Sequence, residues 1–326
     1  MKTLFISAIL IGLTTIYAQK ANTTFKDAQE IKRRTLLLVL PENNKVTLKG
    51  YIEEDSTFGK LYTEDIEGQR AALKKAVLRF WTFTDSVVVV SSQEAKALQK
   101  NEPKKYAVMK IGENTQDRVY IHSHPEPPQA AWSASYGELV YDHNMRYNLR
   151  MLGVTTLVIG LPGKAIEVHL PKVSPSEGDF IYAVSQMNYI LSYVLQSEEH
   201  SSNKLLRKQE EAKAQNLMNK TLLLDAQELG CTNDEIKKVY PYPFKIVNYR
   251  DIEVAIMRKD TDYMMITGSR IDPLRTTYLL SNTGDGTIYY NFTEPTFNYG
   301  ESQGYAIAVL YPSLNAAHLR KIGKIK

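Results

Sequence analysis

Short apolar runs of strand length alternate, in the first half of the chain, with segments whose apolar residues recur at helical spacing. Leu36–Leu40 and Val87–Val90 are runs of the first kind, and Pro41 closes the earlier one. Such runs are typical of buried strands. Gln69–Trp81 and Gln93–Lys100 instead place apolar residues three and four positions apart, which predicts amphipathic helices. The pattern therefore predicts strands separated by helices.

Three successive strands follow these alternating elements. The first is predicted over Tyr106–Ile111, and two more over Thr155–Ile159 and Ala165–Leu170. The last two flank the turn sequence Gly160–Gly163, which indicates a β-hairpin. A helix is predicted from about Glu177. The element order of this half is thus β-α-β-α-β-β-β-α.

The second half of the chain repeats this order. Without a gap, an offset of 157 residues places Val90 on Val247 and Tyr106 on Tyr263. Internal similarity of this kind indicates a duplicated structural unit. The last hairpin turns at Asn282–Gly286, where glycine supplies positive φ. The predicted strands are Leu222–Leu224, Phe244–Val247, Tyr263–Thr267, Thr277–Leu280 and Thr287–Phe292, and the predicted helices are Asn233–Val239, Arg250–Lys259 and a short one at Ala306–Leu310.

We therefore predict an α/β (α+β, mixed-sheet) fold made of two related β-α-β-α-β-β-β-α modules. Strand–helix–strand crossovers favour parallel neighbours, and the hairpins add antiparallel strands. The first module is assigned to residues 34–176, with an insertion at 112–153 that the second module, at 221–326, lacks or shortens. Residues 177–220 are predicted to be a helical connector. Its apolar repeat spans few heptads, which favours packing on the first module over a coiled-coil arm.

The amino terminus has the pattern of a secretory signal peptide over residues 1–18. Lys2 supplies positive charge, residues 4–16 are almost wholly apolar, and Ala18 precedes polar sequence. This apolar run is shorter than the ~20 residues of a membrane-spanning helix, so an uncleaved anchor is the less favoured interpretation. We expect an exported protein in the periplasm or at the outer membrane, with secretion as the alternative.

Composition narrows the function classes further. The formal net charge is only +4, which gives no sign of a nucleic-acid-binding surface. Cys231 is the single cysteine, so no intramolecular disulfide can form. A structural role for this thiol is favoured over a nucleophilic one, because no histidine lies near it in sequence. An exported chain without disulfides is more typical of a bacterial envelope than of an animal extracellular space.

One part of the second module resembles a known group of envelope domains. The sequence PFKIVNYRDIEVAIMRKDTDYMMITGS, followed by TTYLLSNTGDGTIYYNF, is similar to the modules of the curli-secretion channel family (CsgG), the TolB N-terminal domain and the LpoB-type lipoproteins. The matching residues are Tyr249, Arg250, Asp251, Asp262, Tyr263, Gly268, Thr283 and Gly284. The resemblance implies a non-catalytic protein that binds or assembles envelope components. It does not extend to pore formation, because no pair of long amphipathic hairpins is apparent.

The insertion at 112–153 contains the residues best suited to specific binding. Insertions on a scaffold often carry its particular function. The candidate partner-binding side chains are Trp132, Tyr136, Tyr141 and His143. No catalytic or cofactor-binding residue is assigned, and no cofactor is expected.

His122 and His124 support an alternative with chemistry of its own. Two histidines two positions apart on a strand face the same side and can share a zinc ion. The segment resembles the histidine pair of the JAMM zinc isopeptidases, whose pattern continues with a serine and an aspartate. Here Ser133 comes one position late, and Tyr136 stands where aspartate is expected. A polar loop without metal is therefore favoured over a zinc-dependent hydrolase.

The sequence thus favours an exported bacterial envelope protein that is not an enzyme and that binds or assembles other envelope or secretion components. We expect a protein partner, no nucleic acid and no integral membrane segment. The sequence leaves open whether the chain forms homo-oligomers.

Overall fold

The structure is a computed structural model, and it describes residues 23–114, 154–161, 164–172, 175–197, 217–272, 275–295 and 314–324. These residues form two five-stranded sheets, each with parallel and antiparallel strands, and helices that pack on them. The predicted α/β class, with two similar mixed-sheet modules, is confirmed.

The first module builds its sheet around one central parallel strand. Its strands are β1 (Thr35–Val39), β2 (Val87–Val90), β3 (Tyr106–Asn114), β4 (Val154–Leu161) and β5 (Lys164–His169). Its helices are α1 (Phe25–Lys32), α2 (Lys45–Glu54), α3 (Ser56–Phe80) and α4 (Ser92–Asn101), and α5 (Glu177–Ser197) follows the sheet. The strand order is β2-β1-β3-β4-β5. β1 is parallel to β2 and β3, and β4 is antiparallel to both its neighbours.

The second module repeats this topology. Its strands are β6 (Thr221–Asp225), β7 (Phe244–Val247), β8 (Tyr263–Asp272), β9 (Arg275–Asn282) and β10 (Ile288–Pro295). Its helices are α6 (Asn233–Val239), α7 (Tyr249–Met257) and α8 (Ala316–Gly323). The strand order is β7-β6-β8-β9-β10, with β6 parallel to β7 and β8.

The two sheets also share one pairing register. Equivalent pairs are Thr35 with Tyr106 and Thr221 with Tyr263 across the parallel strands, and Ile111 with Leu157 and Gly268 with Tyr278 across the hairpins. The offset of 157 residues found in the sequence therefore relates β2 to β7 and β3 to β8 residue by residue. The predicted internal repeat is a repeat of structure.

The helices that follow β2 and β7 begin at equivalent caps. The Ser91 side chain accepts the Glu94 N–H at the start of α4, and the Asn248 side chain accepts the Asp251 N–H at the start of α7. A small polar N-cap satisfies an N–H that the first turn of a helix leaves unpaired. The repeated cap explains why both helices start at the same place in their modules.

Alternate residues of β1 enter different cores. Leu36 and Leu38 belong to the core that contains α1, α3 and α5, whereas Leu37 and Val39 pack with Ala95 of α4. Successive strand residues face opposite sides of a sheet, so both faces of this sheet are buried near β1.

The second sheet divides its residues in the same way. Leu222 and Leu224 of β6 share a core with α6 and α8, whereas Leu223 lies in the core of α5 and α7. α7 is the equivalent of α4. The two modules therefore stack in the same orientation. The face of the second sheet that carries α7 packs against α5, the helix that covers the first sheet.

Helix α5 belongs to both modules. It packs against α1 and α3 of the first module and against α7 of the second. Phe180, Val184, Met187 and Leu191 are fully buried, and Leu279 of the second sheet lies in the same core. The apolar repeat of this segment therefore serves the interior of the molecule and is not an exposed arm.

Polar groups complete the contact between α5 and the second sheet. The Tyr182 and Ser281 hydroxyl oxygens lie 2.6 Å apart, and Gln186 donates a hydrogen bond to the Tyr182 hydroxyl. Gly286 has φ of +74°, and a Cβ there would lie 2.6 Å from the backbone nitrogen of Gln186. Only glycine fits this turn against the helix.

Some helices differ from the prediction. The helix predicted at residues 69–81 is the carboxyl-terminal half of α3, which has 25 residues. α1, α2 and α8 were not predicted. α1 and α8 are amphipathic but have only eight residues each, and α2 is largely exposed. The helix predicted at 306–310 lies outside the described residues.

Candidate functional site

The second sheet has a crevice at the carboxyl end of β6, beside the middle of β8. The connection from β6 runs to one side of the sheet, to β7, and β8 continues to the other side, to β9. Open α/β sheets bind ligands outside the carboxyl ends of the strands at such a switch point. This position is therefore a candidate ligand-binding site.

Asp225, the last residue of β6, lies in this crevice. Its side chain is buried, with only 7% of the residue exposed. Oδ1 accepts the Gln227 N–H at 3.1 Å, whereas Oδ2 has no hydrogen-bond partner within the described parts of the chain. An unpaired buried carboxylate oxygen is costly, and it needs an explanation.

Glu228 lies one turn further along the chain. Its N–H donates to the Asp225 carbonyl at 3.1 Å, and its own carbonyl accepts the Leu314 N–H at 2.8 Å. Part of the residue is exposed to solvent. Even so, loss of hydration around the carboxylate and the nearby charge of Asp225 raise its pKa to about 7. The site therefore holds two carboxyl groups that repel each other when both are ionised.

The cavity between these groups is small, and its lining is about equally polar and apolar. Its volume is about 10 Å³, and it is lined by Asp225, Glu228, Ile266, Gly268, Tyr278 and Leu314. That volume has room for roughly one group of the size of a water molecule. We name this cavity and its lining the Asp225 cleft.

The first module has no such cleft chemistry at the equivalent positions. The shared register places Val39 at the position of Asp225. It also places Ile111 and Leu157 where the second module has Gly268 and Tyr278. Asp225 and Tyr278 thus replace apolar residues on the same backbone, so the fold itself does not require them, whereas Glu228 has an acidic counterpart in Glu42, three residues after Val39.

A buried polar group lies next to the cleft. Tyr249 donates a hydrogen bond to Asp179 of α5, and Lys172 Nζ lies 3.6 Å from the centre of the Tyr249 ring. Burial and the charge of Asp179 raise the pKa of Tyr249, so its hydroxyl stays protonated. Lys172 acts on Glu228 through its charge and partly offsets the effect of Asp225.

A larger cavity of about 230 Å³ lies beside the first sheet. Asp27 and Lys164 form an ion pair at its wall, with 2.6 Å between Oδ1 and Nζ. The hydroxyl oxygen of Thr23 is buried there and has no partner in the described residues. The remaining lining residues are Ile159, Leu161, Ala165 and Ile166. Because its charged groups already pair with each other, this cavity gives a weaker indication of a ligand than the Asp225 cleft.

The site residues predicted from the sequence lie outside the described residues. They are Trp132, Tyr136, Tyr141 and His143, with the zinc candidates His122 and His124. The structure does place the two ends of their segment. Asn114 and Val154 pair with each other at the end of β3, at the carboxyl edge of the first module's parallel strands. In the second module, residues 273–274 make the equivalent connection.

Cys231 and His318 contact residues that line the cleft, Leu314 and Tyr278, but they do not form a site of their own. Cys231 is a free thiol whose pKa is raised by burial, which disfavours the nucleophilic thiolate. His318 caps α8 by accepting the Asn315 N–H at its Nδ1 atom, and burial lowers its pKa. Both residues have structural roles.

Sequence reasoning missed the Asp225 cleft, although a signal was present. The strand TLLLD ends in an acidic residue where its repeat, TLLLV, ends in valine. Comparing the two copies position by position would have found this difference.

The chain matches no protein-family model, no curated protein sequence and no solved structure. The resemblance to the CsgG, TolB and LpoB-type modules therefore stays a prediction. Within the described ranges, no group of three or more histidine, cysteine or acidic residues is arranged to hold a metal ion. No helix in those same ranges combines the length and hydrophobicity of a membrane span.

Proposed function

We propose that this chain is an exported bacterial envelope protein that is not an enzyme and that binds or assembles other envelope or secretion components. The observation that carries the proposal is a difference between two modules of the same topology: the first contains a long insertion that the second lacks. Both modules pair these two strands in the same register as far as Glu113 and Arg270. The first then joins them through residues 115–153, whereas the second has a register shift between Arg270 and Asp272 and a link of residues 273–274.

The hairpin does not need this long connection in order to fold. The second module shows that the register shared from Ile111 to Glu113 is compatible with a short connection after Arg270, the equivalent of Glu113. The inserted segment starts and ends at the carboxyl edge of a sheet whose core is buried on both faces. A rigid base that presents a chain segment is the usual arrangement for specific binding. The aromatic residues Trp132, Tyr136 and Tyr141 supply the contact area that protein interfaces favour.

The test replaces residues 115–153 with Asp-Pro-Leu, the sequence of residues 272–274 that joins the equivalent strands of the second module. We expect the shortened chain to fold, with circular dichroism and thermal unfolding close to those of the full chain. We also expect it to lose envelope proteins that cross-link to the full chain in intact cells. Trp132→Ala and Tyr141→Ala are expected to weaken the same cross-links, whereas Leu61→Ala, at an exposed apolar residue of α3, is the matched control.

The proposal fails if the shortened chain folds and retains every cross-linked protein in undiminished amount. Exported location is tested separately, by sequencing the amino terminus of the protein from the envelope fraction. Cleavage near Ala18 is expected, and an intact amino terminus in the cytoplasm would contradict export.

The zinc-dependent hydrolase remains the second candidate, because His122 and His124 stand two positions apart. It predicts about one zinc ion per purified chain, lost in the double variant His122→Ala, His124→Ala. Stoichiometric zinc that disappears in this variant would replace the binding proposal with hydrolysis.

A further inference from the structure

The Asp225 cleft has the chemistry of a cation site that the proposed function does not use. Two carboxyl groups share the cavity, and Asp225 Oδ2 is buried without a partner among the described residues. No ion pair with a described lysine or arginine satisfies either carboxylate. Lys172 acts on Glu228 through its charge, but its ammonium group lies against the Tyr249 ring. A positively charged ligand would satisfy both carboxylates.

The size and the walls of the cleft decide which kind of cation fits. A divalent metal needs six or more oxygen ligands or keeps its own waters. The cleft offers two side-chain carboxylates, and its volume of about 10 Å³ has no room for a hydration shell. An ammonium group is about as large as a water molecule and needs three acceptors. Asp225 and Glu228 can each accept from it.

The apolar walls favour an ammonium group that carries an alkyl chain. Ile266, Leu314 and the ring of Tyr278 line the cavity beside the carboxylates. Tyr278 is 4% exposed, and it stacks on Phe292 with 5.0 Å between ring centres. The cavity has room for the ammonium group alone, so the methylene groups would lie outside it, against the half-buried side chain of Ile266, as lysine stems do on proteins.

We propose that the Asp225 cleft binds the primary ammonium group of an alkylamine or of a lysine side chain. The site lies in the second module, so it is independent of the inserted segment on which the proposed function rests. The first module provides an internal comparison, because Val39 occupies the position of Asp225 and removes the carboxylate from the same backbone.

The test titrates the purified full chain with small amines and follows the two-dimensional NMR spectrum. The probes are n-butylammonium chloride and Nα-acetyl-lysine N-methylamide. Matched probes are Nα-acetyl-norleucine N-methylamide, which lacks the amine, tetramethylammonium, which lacks N–H donors, and calcium chloride at equal ionic strength. We expect saturable binding of at least one primary amine at millimolar concentration, with shifts centred on Gly268 and Tyr278, and no saturable binding of the matched probes.

Substitutions of single residues show where on the protein the amine binds. Asp225→Val and Glu228→Gln are each expected to weaken amine binding at least tenfold. Asp234→Asn, an exposed acid at the start of α6, is expected to leave it unchanged. Thermal unfolding of each variant shows whether it is folded. If a variant does not fold, competition between n-butylammonium and the lysine derivative on the unaltered chain still tests for a single site.

The possible outcomes distinguish a protein lysine from a free amine as the ligand, and they define which results overturn the proposal. Binding of the lysine derivative in preference to n-butylammonium supports recognition of a protein lysine, and the reverse preference supports a free amine. Equal binding by the Asp225→Val chain, tighter binding of calcium, or no saturable binding below about 50 mM overturns the proposal. None of these results depends on the inserted segment.

Discussion

Two buried aspartates of this chain lie in opposite environments. Asp27 is 5% exposed and Asp225 is 7% exposed. Asp27 accepts hydrogen bonds from Lys164 and from the backbone N–H and hydroxyl of Thr24. Although burial acts in the other direction, these bonds hold the pKa of Asp27 below its usual value. Asp225 has no comparable set of donors.

This contrast predicts opposite effects of one substitution. Asp225→Val is expected to raise the free energy of unfolding by ~1–3 kcal/mol, because it removes a buried oxygen without a partner. Asp27→Val is expected to lower it by ~2–4 kcal/mol, because it leaves the donors on Lys164 and Thr24 unpaired. Urea unfolding of the two variants checks both values. A loss of stability in Asp225→Val as large as that in Asp27→Val would show that Asp225 is paired in solution.

Glu228 makes stability depend on pH. Its pKa of about 7 lies above the ordinary value of 4.5, so the folded chain keeps a proton that the unfolded chain has lost between those values. Stability from this group is therefore present at about pH 4.5 and is lost as pH rises through 7. Because the residue is partly exposed, we expect a change of only about 1 kcal/mol. Burial also raises the pKa of Asp179, which adds a trend of the same sign.

The difference between the unaltered chain and Glu228→Gln isolates this contribution. Urea unfolding measured from pH 5 to pH 8 should show a steeper loss of stability in the unaltered chain. Parallel curves for the two proteins would contradict the raised pKa.

At the scale of elements, α5 combines an apolar pattern with polar residues that bind a distant strand. The Tyr182 hydroxyl is fully buried, contacts Ser281 of β9 and accepts from Gln186, and burial raises its pKa to about 12. This network connects the helix after the first sheet to the second sheet. It fixes the position of the helix more specifically than apolar packing alone.

A double-mutant cycle tests this network. Tyr182→Phe and Ser281→Ala are each expected to cost ~1–3 kcal/mol, because each leaves a buried partner unpaired. The double variant should cost less than the sum of the two, by ~0.5 kcal/mol or more. Tyr193→Phe, at a half-buried tyrosine of the same helix, is the control. Strictly additive losses would show that the two hydroxyl groups do not interact.

The sequence predicted most of the elements, and it did so where apolar runs were long or repeated. Val87–Val90 and Phe244–Val247 are strands with the predicted bounds. The predicted burial of Val87–Val90 was wrong, because this strand is at the edge of its sheet and Val88 is 46% exposed. The Asp225 cleft could not be predicted in the same way. It depends on which strand ends meet across β6, β8 and β9, and this follows from register and not from local pattern.

The role of α5 was also beyond the reach of local pattern. Residues such as Phe180 and Leu191 indicated an apolar helix face, and the sequence favoured packing on the first module. Contacts with the second module arise from stacking of the two sheets, so they have no signature in the helix itself. The polar residues Tyr182 and Gln186 would equally suit a solvated face.

At the scale of the whole molecule, one core extends through both sheets. It includes Leu36 and Leu157 of the first sheet and Leu223 and Leu279 of the second. Because α5 lies in this shared core, we expect the two modules to unfold together and not in separate steps.

Ile256 of α7 offers a test of this coupling. It is fully buried in the shared core, and its neighbour Met257 is 41% exposed. Ile256→Ala is expected to destabilise the chain by ~2–5 kcal/mol, and Met257→Ala by much less. Hydrogen exchange followed by mass spectrometry should show faster exchange in β1 and β3 as well as in β6 and β8. Faster exchange confined to the second module would contradict a shared core.

The place of α5 in the chain also sets an order of assembly. A ribosome releases the amino terminus first, so all five strands of the first sheet emerge before this helix, and β6 emerges after it. The earlier half of the protein can close over α5 while the later half is still being synthesised. The later half then meets a finished surface that bears the Tyr182 hydroxyl. A nascent chain from which residues up to 197 have left the ribosome should therefore resist proteolysis better than one from which only residues before 177 have left. It should resist less well than the whole chain, because part of the shared core is still missing.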